Sequence, residues 1–240
     1  MKPRASSNKN RLLATLKNRI SKLLDSVPMI FRLLRMKPNA IWIGDSHAHF
    51  IARNGKRIRH FSITDKNHLL IWLGPKLLYS VSRDGFHIDK LTSLILKKAS
   101  IRQKLVLSLG EIDCRVHLVP RTLIKGTTEF DNIVRNYRVS VMQILEKYNL
   151  GSAFILTPMP PSDFGLDNPM FPRNGSLSER VTVTKLLTES LVSVSSSEFH
   201  VINLSSILAS QDGSLNMKYS NDGVHVNLLG STEVLNKLGF

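Results

Sequence analysis

Ser46 stands in the run Gly44-Asp45-Ser46-His47, directly after the short apolar segment 40–43. A serine hydroxyl is a weak nucleophile until a base takes its proton. A strand-to-helix turn can supply what is missing. It projects the hydroxyl into a crevice and aims the first N–H groups of the following helix at a developing oxyanion. Gly44 suits such a tight turn. The same residues also fit an ordinary turn in which Ser46 caps the helix. A candidate base lies far along the chain, in Asp222-Gly223-Val224-His225. A three-residue separation lets one turn bring a carboxylate and an imidazole together. Asp222 can then fix the tautomer of His225, and His225 can take the proton of Ser46. The plainer alternative is a surface aspartate and a loop histidine.

Other polar residues follow the remaining apolar segments. Gly74-Pro75 comes after segment 69–73, and Gly110-Glu111-Ile112-Asp113 after segment 105–109, with Arg115 and His117 close behind. The Arg115 guanidinium has the geometry to clamp a substrate carboxylate or phosphate. It can equally form a salt bridge with Glu111 or Asp113. His47 and His49 either line the Ser46 site or are merely solvated. Cys114, beside an acidic neighbour, reads as a buried or incidental thiol. The basic run 53–59, with Lys56, Arg57 and Arg59, either extends an anion-attracting surface or forms a solvated loop. His60, His68, His87 and His200 lack ligand spacing, so no catalytic metal and no cofactor are expected.

These residues need a scaffold that brings them together. The segments 40–43, 69–73, 105–109, 153–156 and 200–204 are short, apolar and often β-branched, as buried parallel strands are. Between them lie helix-like stretches at 86–98, 130–148 and 177–194, and 228–238 suits a closing helix. The alternation predicts an α/β fold with a mainly parallel five-stranded sheet. Ligands in such sheets bind beyond the carboxyl ends of the strands, where the candidate residues fall. The Pro-rich stretch 158–176 reads as a long functional loop.

Residues 1–38 form a separate region, followed by a domain over 39–240. The first region carries ten basic residues and one acid, Asp25, out of a chain net charge of +15. Leu12, Leu13, Leu16, Ile20, Leu23 and Leu24 recur at three- and four-residue steps, one face of an amphipathic helix that Pro28 ends or kinks. Such a helix either docks on the domain or a second subunit, or lies on an anionic membrane surface. The chain has 240 residues and one Cys, which excludes an internal disulfide and any Cys-cluster metal site. No run approaches a membrane span, and the start of the chain lacks the apolar core of a secretory signal. The expected location is the cytoplasm, peripherally at the inner membrane face. The surplus positive charge predicts anionic partners.

Gly-Asp-Ser at the first strand end, Gly at the second, Gly-x-x-Asp at the third and Asp-x-x-His near the C-terminus resemble the SGNH/GDSL hydrolase family over residues 39–240. The resemblance implies a three-layer α/β/α sandwich of flavodoxin-like type. It implies Ser46 as nucleophile and Asp222 and His225 as acid and base. It implies a backbone oxyanion donor at Gly74, with Gly85 the other candidate. One position departs from the family pattern. The third block normally supplies an Asn donor, and Ile112 stands in its place. Losing one such donor costs about 2.7–4 kcal/mol of transition-state stabilisation. Arg115 is then the favoured substitute, with Asp113 in the same oxyanion and substrate-binding block. The run Gly-Glu-Ile-Asp-Cys-Arg also resembles SGNH-like proteins associated with bacterial surface polysaccharides.

The expected function is therefore serine-dependent acyl transfer on a carbohydrate or other acyl-ester substrate, as an O-acyl or O-acetyl esterase or an O-acetyltransferase. A binding module for an acidic glycan or other anionic partner is the alternative, and Ile112 is its support. Specific nucleic-acid binding is not expected, because zinc-finger spacing and stacking motifs are missing.

Overall fold

The computed structural model describes residues 5–53, 59–99, 102–125, 128–165 and 167–240. The five expected strands form: β1 (Ala40–Gly44), β3 (His68–Trp72), β4 (Lys104–Ser108), β5 (Ala153–Leu156) and β6 (Phe199–Ile202). They run parallel in the order β3-β1-β4-β5-β6, with Trp42 of β1 in register between Leu70 and Val106. A sixth strand, β2 (Phe61–Ile63), pairs antiparallel with the outer edge of β3. The expected count of five is corrected to six.

Side chains alternate across a strand, so each apolar segment feeds two cores. Ile41, Ile43, Leu105 and Leu107 point into one, and Ala40, Trp42, Leu70 and Val106 into the other. The first core is covered by α3 (Leu78–Asp84), α4 (Lys90–Ala99), α6 (Thr128–Lys147) and α7 (Leu177–Ser193). The second is covered by α2 (Ser46–Arg53), α8 (Ser205–Leu208) and α9 (Leu228–Leu238). This is the three-layer sandwich that the resemblance implied. A π-helical turn (Asp113–Leu118) runs into α5 (Val119–Lys125).

The N-terminal helix α1 (Ala5–Arg35) continues through Pro28. The proline leaves the Leu24 carbonyl without its helical donor. Both residues are exposed, so that carbonyl faces water, while Met29 and Leu33 on the next turns are buried in the first core. Packing beyond Pro28 thus carries the helix past a residue that could have ended it.

Candidate active site

The Ser46 turn is built by contact between strands. A Cβ on Gly44 would stand 2.4 Å from the Ser108 carbonyl oxygen, so no side chain fits where β1 ends against β4. Asp45 then caps α2: its Oδ1 accepts the His47 N–H at 2.9 Å. Ser46 is therefore the first residue of the helix and not its cap. Its hydroxyl is left for other partners, and its N–H is among the first four with no acceptor inside the helix.

The loop before α9 carries the partners. Asp222 Oδ1 accepts the N–H groups of Val224 (2.8 Å) and His225 (2.7 Å), which closes a tight turn. Ser220 Oγ donates to the His225 carbonyl at 2.7 Å and accepts the Gly223 N–H at 3.0 Å. Asn227 caps α9 through the Gly230 N–H and fixes the chain just after His225. Within this frame His225 Nδ1 lies 2.8 Å from Asp222 Oδ2, and His225 Nε2 lies 2.9 Å from Ser46 Oγ. A carboxylate only accepts, so Nδ1 carries the proton and Nε2 presents its lone pair to the serine hydroxyl.

The charges suit that role. Partial burial alone would raise the Asp222 carboxyl, but the His225 and Val224 N–H groups and the His225 ring hold it down to about 2. Burial and the nearby positive His47 lower the His225 pKa below its usual value, against the pull of Asp222. The imidazole is neutral at neutral pH, ready to accept a proton. Phe50 stacks on its face, ring centroids 4.0 Å apart.

His47 was read from sequence as lining the site or merely solvated. It is a buried strut. Its Nδ1 lies 3.0 Å from Asp45 Oδ1 and its Nε2 3.1 Å from the Val224 carbonyl oxygen. Both partners are acceptors, so both ring nitrogens must donate and the ring is an imidazolium. Burial opposes the charge, but Asp45 and then Glu111 overcome it and raise the pKa to about 9. Glu111 Oε2 is 4.0 Å away. One charged ring thus joins the residue before Ser46 to the loop between Asp222 and His225. His49 is fully buried and does not line the crevice.

The crevice over Ser46 encloses about 530 Å³. Trp72, Pro75, Ile112, Phe164 and Phe171 give it apolar walls, and Arg115, Asn168 and Asn221 give it polar ones. Phe164, Asn168 and Phe171 come from the loop 158–176, which thus forms one wall of the crevice. A second, more open groove of about 850 Å³ lies on the other side of His225, between Phe50 and the start of α9. Among the described residues, no three His, Cys, Asp or Glu side chains are grouped to hold a metal ion.

No protein-family model matches the chain. No curated protein matches it either. Solved structures do. A protein from Streptococcus pneumoniae described as a platelet activating factor superposes with a TM-score of 0.53 at 13% identity, covering 96% of this chain and 97% of that one. A GDSL-like lipase from Bacteroides thetaiotaomicron gives 0.52 at 12%, covering 90% and 96%. A protein from Bacteroides fragilis described as an acylhydrolase gives 0.51 at 16%, covering 91% and 95%. The chain has the SGNH/GDSL hydrolase fold.

Within that SGNH/GDSL fold the remaining candidates sort themselves. Gly74, at φ +78°, lies two residues past the end of β3, its N–H is not engaged by other described residues, and its neighbour Pro75 lines the crevice. Gly85 instead caps the far end of α3. Ile112 lines the crevice with its apolar side chain, so no side-chain donor stands where the resemblance implied an Asn. Arg115 lines the crevice while its Nε lies 3.0 Å from Glu111 Oε1, an ion pair outside hydrogen-bond alignment. Of the two salt-bridge partners the sequence allowed, Glu111 is the one Arg115 meets.

Asp113 is a correction. It was expected in the oxyanion and substrate-binding block, yet it is 1% exposed and turned away from the crevice. Its carboxylate accepts the Leu78 N–H at 2.8 Å and the Tyr79 N–H at 3.1 Å. It therefore pins the start of α3, and with it the Gly74-Pro75 loop, to the end of β4. Burial raises its pKa to about 6 against those two hydrogen bonds. Cys114 is buried, and burial pushes its thiol up. Arg59 is exposed, and Lys56 and Arg57 lie outside the described residues.

Proposed function

We propose that the chain is a serine acyl-transfer enzyme acting on O-acylated carbohydrate, in the metabolism of surface polysaccharide. The observation that carries the reading is the unbroken line Ser46 Oγ–His225 Nε2–Asp222 Oδ2, at 2.9 and 2.8 Å across 179 residues of sequence. Ser46 Oγ attacks the ester carbonyl carbon as its proton passes to His225 Nε2. The tetrahedral oxyanion is held by the N–H groups of Ser46 and Gly74. It collapses, the C–O bond to the leaving alcohol breaks, and His225 returns the proton to that alcohol. The acyl group is left on Ser46. A water or a sugar hydroxyl, deprotonated by His225, then attacks and frees Ser46.

The carbohydrate half of the reading rests on the crevice walls. Trp72, Phe164 and Phe171 offer aromatic surface to sugar C–H faces, and Asn168, Asn221 and Arg115 offer donors to hydroxyl or carboxylate groups. The test is to supply an activated acetyl ester with and without an oligosaccharide acceptor. Free acetate alone assigns an esterase. O-acetylated sugar assigns a transferase. Neither product, at any acceptor tried, sinks the proposal.

Ile112 supports a second reading, a binding module that kept the fold and lost its rate. The two readings separate at Ile112→Asn. If the site is a working enzyme short of one donor, a side-chain amide there raises kcat by up to about 10²-fold. A binding module gains nothing, and its Ser46 stays unreactive.

A further inference from the structure

The helix α1 is docked by one face and bare on another. Ser26, Met29 and Leu33 are buried against the domain, and Lys22 pairs with Asp89 of the segment before α4. The opposite side carries Leu16, Ile20, Leu23, Val27, Phe31 and Leu34. They fall within about 80° of arc at about 100° per residue. Each is between 49% and 63% exposed. Continuous apolar stripes of this kind are uncommon on a protein surface without a partner.

The charge around the stripe chooses the partner. On the helix wheel Lys17 and Arg35 border it on one side and Arg19 on the other, Arg32 lies about 60° farther round than Arg35, and all four are exposed. The single acid of the region, Asp25, is taken by the domain, where its Oδ2 accepts the His60 N–H at 3.0 Å. The stripe is thus framed by cations alone. A second copy meeting it stripe to stripe would set these cations against the same cations, with no acid between them. Anionic lipid headgroups meet the cations with opposite charge while the acyl region takes up the apolar side chains. Long Lys and Arg side chains reach outward from such a stripe to the headgroups. Among the described residues no helix is long and apolar enough to cross a membrane, so the contact is one of lying on the surface.

From this geometry we infer that the outer stripe of α1, residues 16–34, docks the protein on an anionic membrane surface. The inference goes beyond the proposed acyl transfer and does not depend on it.

The test is flotation of the full chain with vesicles of phosphatidylcholine alone and of phosphatidylcholine with phosphatidylglycerol. The expected result is binding to the mixed vesicles, weakened by salt, and little to the neutral ones. Replacing Lys17, Arg19, Arg32 and Arg35 by Gln lowers the partition by about two orders of magnitude or more. The variant Leu16→Gln, Leu23→Gln, Val27→Gln, Phe31→Gln loses it with all cations still present. Both variants keep the melting temperature and the acetyl-ester turnover of the parent, since none of these residues lines the crevice. Failure of the parent to float on anionic vesicles overturns the inference, and so does equal binding to neutral ones. Full binding by the apolar-to-Gln variant reduces the contact to charge and also overturns it. A dimer in light scattering that this variant dissolves assigns the stripe to a second copy instead.

Discussion

Ser46→Ala is expected to lower turnover of an activated acetyl ester by about 10⁴- to 10⁶-fold while leaving the melting temperature nearly unchanged. The size of the loss follows from geometry. Ser46 Oγ is the hydroxyl that His225 Nε2 meets, and an alanine leaves the imidazole with no hydroxyl to deprotonate. The retained fold follows from where the turn gets its stability. Asp45 caps α2 and Gly44 lets β1 meet β4, so the serine hydroxyl holds up neither. A fall in activity accompanied by unfolding would leave the role of Ser46 undecided. Full activity in a folded variant would contradict the mechanism outright.

His47→Gln is expected to cost stability and to move the pH profile. The imidazolium of His47 is 3% exposed and answers Asp45, the Val224 carbonyl and, at longer range, Glu111. A glutamine cannot donate to both sides with a positive charge. The buried carboxylates lose their counter-charge, which costs about 3–5 kcal/mol in comparable sites. For a domain of this size that is a fall of about 6–20 °C in melting temperature. The sign with pH is fixed by the raised pKa. Charge on His47 stabilises the fold fully below pH 6.5, and the contribution is lost as pH rises through about 9. The gap between parent and variant therefore closes above pH 9. Activity moves as well. The parent needs neutral His225, so its kcat/KM falls on acidification below 6.5, where burial and the charge of His47 have placed the His225 pKa. Removing that charge raises the His225 pKa and shifts the acid limb upward. Thermal melts and a pH–rate profile check both. A purely structural role for His47 would lower stability and leave the acid limb where it was.

The sheet was legible because its inner strands are buried on both faces and read as unbroken apolar runs. Segment 153–156 coincides with β5, and 228–238 with α9. β2 was not, since Phe61–Ile63 is three residues long and owes its state to pairing with β3. α3 was missed because seven residues are too few to show a helical period. Pro28 does not end α1 because the burial of Met29 and Leu33 outweighs local propensity.

The site divides the same way. The meeting of Ser46, Asp222 and His225 was legible because residue type, local spacing and position after a strand or before the closing helix all pointed to one arrangement. Asp113 went astray because Gly-x-x-Asp gives the residue and not the direction of its side chain. A π-helical turn aims it at the start of α3. His47 had a readable half, an acid two residues before it. Its other half is a carbonyl 177 positions away, which only the folded chain supplies.

The central claim is that Ser46 is a hydroxyl activated by His225. Intact-mass spectrometry after exposure to a fluorophosphonate reads that activation directly, whatever the natural acyl donor. The expected result is one adduct per chain, mapped to Ser46, lost in Ser46→Ala and strongly slowed in His225→Ala. A folded parent chain that stays unlabelled, or that labels equally well without His225, would contradict it.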